Sequence, residues 1–308
     1  MSATSLPWFD ASRVEALLPM REAVDAIESA LRDGFDPASD PARGLVGTRH
    51  GHLLLMPSEV GSAVGVKVAS VAPGNPEHGL PRIQAVYVLM DGETLRPVAV
   101  LDGTSLTALR TPAVSAVAVR HLAVPHARRL VVLGSGPQAA GHVAALRTVR
   151  PVDDVVVVAR DRTKAQGFAD QVGATGLGAR VGTVDDVAHA DLVVCATTSA
   201  TPVLPGELVA DHACVVAVGS HEPNRRELDE QLMGRATVVV EDRDTALREA
   251  GDVVLAAGRG VSYESLVSLR ELVRGAVPVD GTRPRVFKSV GMSWQDLVVA
   301  AEVVRRAS

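Results

Sequence analysis

The 308 residues contain only two cysteines, Cys195 and Cys214, and both sit inside apolar, β-branched runs. That leaves no material for a disulfide framework or a redox pair, and both read as inert core thiols. The nine histidines show no HExxH spacing and no Cys/His cluster, so no metal is expected. Basic excess is missing as well: 31 Lys+Arg stand against 36 Asp+Glu, for a formal charge of −5 and a sequence pI near 6.0. With no Lys/Arg block, the footprint of a nucleic-acid binder is excluded. No apolar run approaches the roughly 20 residues of a spanning helix. The first ten residues lack a basic segment followed by an apolar stretch, so we expect no secretory signal, no membrane partner and a cytoplasmic protein. Repeats, low-complexity tracts and long linkers are absent too. What is abundant is apolar residues, 47% of the chain, ample for the cores of two domains.

The most informative segment is Arg129-Leu-Val-Val-Leu-Gly-Ser-Gly-Pro-Gln-Ala139, which reads as a buried strand, a glycine turn and a helix start. Gly134 permits the tight turn, Gly136 lets backbone approach phosphate, and Ala139 keeps the helix close to the sheet. Pro137 suits the first helical position, where no N–H is needed. The helix start then offers unpaired N–H groups and a positive dipole end to a pyrophosphate. Apolar strand candidates follow at residues 155–159, 191–197, 213–218 and 237–241, alternating with helix candidates at 163–172, 226–233 and 245–257. Short apolar strands alternating with helices predict an α/β fold: a Rossmann-like, doubly wound parallel sheet covered on both faces.

The chain before this point has a different texture. Residues 11–35 read as one or two amphipathic helices, and residues 43–101 alternate like antiparallel strands, with candidates at 52–56, 64–71, 84–90 and 98–101. Asp91-Gly92 offers a hairpin turn. In the small-residue stretch from Leu106 to Arg120, Thr111 reads as an N-cap and Pro112 as the first helical residue. Arg110 would then lie beside a positive helix end, an arrangement that calls for an anion. At the far end, residues 286–301 read as a strand, a glycine turn and a final helix with a Ser293-x-x-Asp296 capping pattern. The N-terminal part is thus a separate, discontinuous α+β unit to which the last helix returns.

Several segments, in this order and spacing, resemble the ornithine cyclodeaminase/mu-crystallin family. They are Leu54-Leu-Met-Pro57, Gly65-Val-Lys-Val68, Leu106-Thr-Ala-Leu-Arg-Thr-Pro-Ala-Val-Ser-Ala116, Gly134-Ser-Gly-Pro-Gln138, Ala217-Val-Gly-Ser-His-Glu-Pro-Asn-Arg-Arg-Glu-Leu-Asp229 and Phe287-Lys-Ser-Val-Gly291. The resemblance implies a substrate and dimerisation domain at 1–118 and 290–308, a dinucleotide domain at 119–289, and a homodimer. It implies a small imino, amino or keto acid as substrate, held between the domains and facing the nicotinamide. It assigns the substrate carboxylate to Arg43, Lys67 and Arg110. Cofactor contacts would come from Arg82, Arg110, Thr111, Gly134, Gly136, Pro137, Gln138, Arg160, Arg162, Thr197, Val218 and Ser289.

The residues supply their own argument for Lys67. Val66 and Val68 point to the other face of its strand, and a lysine on an inner face is unfavourable unless an anion meets it. Cyclodeaminases of the family carry two acids that are absent here: Leu54 and His221 stand in their places. Without them the pocket has cations and little negative charge, which suits an α-carboxylate next to a C=N carbon better than a diamino acid. The expected reaction is therefore NAD(P)H-dependent reduction of a cyclic imino acid, of the 1-pyrroline-2-carboxylate or 1-piperideine-2-carboxylate type, with His221 as the proton donor. Alternatives are ornithine cyclodeamination, alanine-dehydrogenase-like amination, and a non-catalytic ligand-binding protein like mu-crystallin. Where an NAD enzyme carries an acid after its second strand, this chain has Ala159-Arg160-Asp161-Arg162. Arg160 and Arg162 favour NADP(H), and Asp161 keeps NAD(H) in play.

Overall fold

The computed structural model describes residues 6–275 and 282–308; residues 1–5, half of the stretch read above for a leader, lie outside them. In chain order the elements are β1 (Trp8–Phe9), α1 (Ala11–Leu17), α2 (Met20–Arg32), β2 (Gly44–Thr48), β3 (Gly51–Val60), β4 (Ala63–Val71), β5 (Ile83–Asp91), β6 (Pro97–Asp102) and α3 (Gly103–Leu122). The glycine fingerprint follows as β7 (Arg129–Leu133) and α4 (Pro137–Arg147), then β8 (Asp154–Val158), α5 (Arg162–Gly173), β9 (Gly178–Val181), β10 (Leu192–Cys195) and β11 (Cys214–Ala217). The chain ends with α6 (Glu230–Arg235), β12 (Thr237–Val240), α7 (Arg243–Glu249), α8 (Gly251–Val254), β13 (Leu266–Ser268), α9 (Leu269–Val273), β14 (Arg285–Lys288) and α10 (Ser293–Ala307). The chain divides into two compact units: Met1–Ala113 with Met292–Ser308, and Val114–Gly291.

In the first unit six strands form a sheet in the order β1-β6-β5-β4-β3-β2, antiparallel except for the β1/β6 pair. Burial alternates along β4 and through the middle of β5 and β6, and α10 packs against β3, β4 and β5. Met56, Lys67, Tyr87, Leu89, Ala99 and Leu101 are buried on one face. The opposite face carries Pro57, Val66, Val68, Val86, Val88 and Val100, paired across the strands and only half-buried.

The second unit holds an all-parallel sheet in the order β13-β12-β14-β11-β10-β7-β8-β9. Apart from Arg129 at the exposed start of β7, strands β7, β10 and β11 are made of Val, Leu, Ala and Cys because both of their faces are covered, so no polar alternation is tolerated. Cys195 and Cys214 are buried and free, and burial raises both thiols, Cys214 to about 12.

Several local expectations are corrected. Helix α3 runs unbroken from Gly103 to Leu122 with Pro112 inside it, so Thr111 is no N-cap and Arg110 stands at no helix start. The proline removes one i→i−4 bond, and the burial of nearly every residue from 113 to 119 outweighs that loss. The stretch at 226–233 becomes helical only at Glu230, capped by Asp229, because the N–H groups of Glu227 and Leu228 are taken by Asp252 Oδ1 at 2.7 and 2.8 Å. The helix expected at 245–257 breaks at Ala250, where Gly251 packs so tightly on the backbone of Arg225 that a Cβ would lie 1.9 Å from its carbonyl oxygen. The reversal after β5 spans more than Asp91-Gly92: Asp91 Oδ1 accepts from Thr94 N at 2.9 Å, and Leu95, not Gly92, takes the positive φ of 56°. At the last helix Ser293 is the first helical residue and makes no capping box; Asp40 Oδ2 accepts from Trp294 N at 3.0 Å instead.

Candidate active site

Lys67 enters the core of the first unit on β4, and burial is the reason its charge needs partners. Nζ donates to Asp296 Oδ2 at 2.6 Å and to Thr107 Oγ1 at 3.2 Å. Arg110, one turn of α3 after Thr107, donates from Nε to Asp296 Oδ1 at 3.3 Å and from Nη1 to Gln295 Oε1 at 3.1 Å. Lys67 is 3% exposed, Arg110 6% and Asp296 0%, so the cluster is out of water. Desolvation lowers the Lys67 ammonium to about 8 against the pull of Asp296, and the neighbouring Arg110 and Arg43 push in the same direction as burial. Arg43, half-buried in the loop before β2, thus acts on Lys67 electrostatically. Leu54 is half-buried two residues from Met56 and so shares its face, which is also that of Lys67.

The anion that the strand position of Lys67 demands is therefore an internal one, and the expectation of a corner with almost no negative charge is corrected. Asp296 is the residue the sequence reading missed. Its signal was a Gln-Asp pair within an otherwise apolar helix start, read there as a cap.

Asp40 ties this corner together from behind. Its carboxylate accepts from Trp294 N and, at 2.6 Å, from Ser58 Oγ. Burial raises it to about 6. Arg82, exposed just before β5, and Thr111, buried beside Arg110, lie in this unit as well.

In the second unit the fingerprint has the form a pyrophosphate needs. Gly134 has φ +125°, and a Cβ there would lie 2.6 Å from the carbonyl oxygen of Ala196. Gly136 is the extended N-cap of α4 with no side-chain cap, Pro137 opens the helix, and a Cβ on Gly136 would meet open space. The Oε1 of Gln138 is buried without a hydrogen-bond partner among the described residues, an acceptor placed where a ligand donor would satisfy it. These features fit a dinucleotide. At the end of β8, Arg160 and Arg162 are exposed, while Asp161 caps α5 by accepting from Thr163 N at 3.0 Å and Lys164 N at 3.1 Å.

Thr197, Val218 and Ser289 follow the carboxyl ends of β10, β11 and β14, the edge at which open parallel sheets bind ligands. Buried acids fix these loops. Glu227 accepts from Thr197 N, Thr197 Oγ1 and Gly219 N, each at 2.7 Å. Glu241 accepts from Ser289 Oγ at 2.8 Å and from Val290 N at 2.8 Å, so the Ser289 hydroxyl is already engaged. His221 is exposed in the loop after β11.

Among the described residues no group of three or more His, Cys, Asp or Glu could hold a metal ion, and no helix is long and apolar enough to cross a membrane.

The model of the ornithine cyclodeaminase/mu-crystallin family matches residues 9–308. A ketimine reductase mu-crystallin of Rattus norvegicus is 35% identical over 289 residues, covering 92% of this chain and 90% of its own. The structure of Thermococcus litoralis Delta(1)-pyrroline-2-carboxylate reductase in complex with NADH and L-proline superposes with a TM-score of 0.91 at 28% identity, over 98% of this chain and 97% of that one. An archaeal alanine dehydrogenase dimer with bound NAD superposes with a TM-score of 0.92 at 28% identity, over 98% and 96%.

Proposed function

The chain belongs to the ornithine cyclodeaminase/mu-crystallin family, and on that premise we propose that it is a nicotinamide-dependent reductase of a cyclic imino acid, using NADPH in preference to NADH. The observation that carries this reading is the buried pairing of Lys67 and Arg110 around one carboxylate, Asp296. Two cations against one anion leave one positive charge to meet the α-carboxylate of a substrate. Asp296 is committed to both cations, so it offers nothing to the distal ammonium of a diamino acid, and Leu54 supports the same choice. Cyclic imino acids such as 1-pyrroline-2-carboxylate carry the carboxylate and lack that second charge.

The fingerprint at Gly134–Gln138, with Thr197 and Val218, would hold the dinucleotide, which supplies a hydride when bound. The protein's part is to clamp the carboxylate so that the C=N carbon is presented in one orientation, and to deliver a proton to the imine nitrogen as the carbon is reduced. We assign proton delivery to His221. The preference for NADPH rests on the engagement of Asp161 as a helix cap, which leaves Arg160 and Arg162 to meet a 2′-phosphate. A homodimer is supported by the half-exposed valine face of the six-stranded sheet, which a second copy would cover.

The test follows oxidation of NADPH and NADH with 1-pyrroline-2-carboxylate, 1-piperideine-2-carboxylate, pyruvate plus ammonia, and ornithine, with amino-acid product and ammonia measured together. Proline or pipecolate formed with stoichiometric NADPH use is the expected result. Proline and ammonia from ornithine at constant cofactor would overturn it in favour of cyclodeamination.

A further inference from the structure

We propose that Asp296 is a positioning residue of the carboxylate corner: a fixed internal counter-ion that keeps Lys67 charged, holds Arg110 in line with it, and leaves one donor on each for a single substrate carboxylate. The inference rests on the imino-acid reading above and deepens it. Each oxygen of Asp296 has its own cation, Oδ2 taking Lys67 at 2.6 Å and Oδ1 taking Arg110 Nε at 3.3 Å, so the carboxylate plane spans the gap between them. Of the three Nζ protons of Lys67, one goes to Asp296 and one to Thr107 Oγ1, whose own proton goes to Gly103 O at 2.8 Å. Arg110 spends Nε on Asp296 and Nη1 on Gln295. Among the described residues, one Lys67 proton and Arg110 Nη2 remain, two donors from two residues for the two oxygens of one carboxylate.

The charges around Lys67 explain why the counter-ion matters. Arg110 on α3 and Arg43 in the loop before β2 both repel its ammonium, and burial disfavours it further. Tyr87 on β5 is paired with Lys67 across the sheet and stays protonated, since burial and the charges of Asp296 and Asp40 raise its hydroxyl. Asp40, behind the start of α10, shares the neighbourhood of Asp296 and is occupied with Ser58 and Trp294. Asp296 is thus the carboxylate hydrogen-bonded to Lys67, and without it burial and two arginines act on the lysine unopposed.

Asp296→Asn keeps the size and removes the charge. The experiment measures L-proline binding by calorimetry between pH 6 and 9, alongside kcat and KM for imine reduction over the same range. In the wild type, binding should weaken above about pH 8 as Lys67 loses its proton. In Asp296→Asn the weakening should begin at least one pH unit lower, with KM raised tenfold or more at pH 7.5 and kcat affected less. The double variant Lys67→Met/Asp296→Asn removes both charges, serves as the second readout if the single variant fails to fold, and should bind L-proline weakly with no pH dependence between 7 and 9. An unmoved alkaline limit in Asp296→Asn, or an alkaline limit that persists in the double variant, overturns the inference while leaving imine reduction intact. A wild type that binds L-proline with this pH dependence yet reduces no imine overturns the proposed function and leaves Asp296 its role; a wild type that binds no amino-acid carboxylate overturns both.

Discussion

Lys288 Nζ lies 3.0 Å from Asp252 Oδ2, and neither side chain is exposed at all. Lys288 also donates to Ser220 O at 2.6 Å, and the other oxygen of Asp252 holds the N–H groups of Glu227 and Leu228. Through Glu227 the chain of contacts reaches Thr197 and Gly219, so one buried network stitches the loops after β10 and β11 to the end of β14.

Replacing Lys288 by Met leaves Asp252 and Glu227 buried without their cation. We expect a loss of about 3–5 kcal/mol in denaturant-induced unfolding, the usual result of breaking a buried pair from one side. Affinity for the dinucleotide should fall more than affinity for the imine, because the loosened loops belong to the proposed cofactor edge. An unchanged unfolding midpoint would show the pair to be dispensable.

Arg160→Ala should raise the KM for NADPH roughly ten- to a hundredfold and leave that for NADH nearly unchanged, since a charge-assisted contact to a 2′-phosphate is worth roughly 1.5–3 kcal/mol. Steady-state kinetics with both cofactors checks this. Equal effects on the two would mean that Arg160 meets no phosphate.

Arg110→Met removes a guanidinium that donates to both Gln295 and Asp296. Its kcat/KM for an imino acid should fall by at least a hundredfold, with dinucleotide binding, read by fluorescence titration, falling far less. Retained kcat/KM would remove Arg110 from the carboxylate corner.

Two buried groups push the pH dependence of stability in opposite directions. His142, held between Gln138 O and Ser115 Oγ, is lowered to about 4 by burial; the unfolded chain binds the extra proton between about pH 4 and 6.5, so this group destabilises the fold as pH falls through that window. Asp40, raised to about 6 chiefly by burial, does the reverse: the folded state keeps a proton that the unfolded state releases, and stability falls as pH rises from about 4 to 6. Asp40→Asn removes only the second effect. Relative to wild type, the variant should therefore gain stability at pH 7 compared with pH 4.5, by about 2 kcal/mol, in urea titrations at the two pH values. A pH-independent difference would count against a carboxyl raised by burial at Asp40.

Much of the second unit was legible because its central strands are apolar throughout: Leu130–Leu133, Val155–Val157 and Val193–Val194 admit no amphipathic reading. The elements overlooked are short and peripheral. Gly178–Val181 and Leu266–Ser268 are edge strands of three or four residues, and Gly44–Thr48 is a mostly exposed edge with two glycines. Thr111-Pro112 misled because the same dipeptide opens helices; only tertiary packing shows it in mid-helix. In the candidate site Lys67 was legible from its awkward placement on a strand face, and Arg110 from the family resemblance, whereas their shared anion was not. Asp296 stands 229 residues from Lys67, and no local spacing connects them.

That separation also fixes an order of assembly. A ribosome releases Lys67 on β4 and Arg110 on α3 early, and delivers Asp296 only with the final helix, after every strand of the second unit has emerged. Until then the two cations lack the carboxylate that pairs them in the finished fold. A chain cut short before residue 296 lacks that carboxylate, so the last helix to be made carries the counter-ion of a core laid down first.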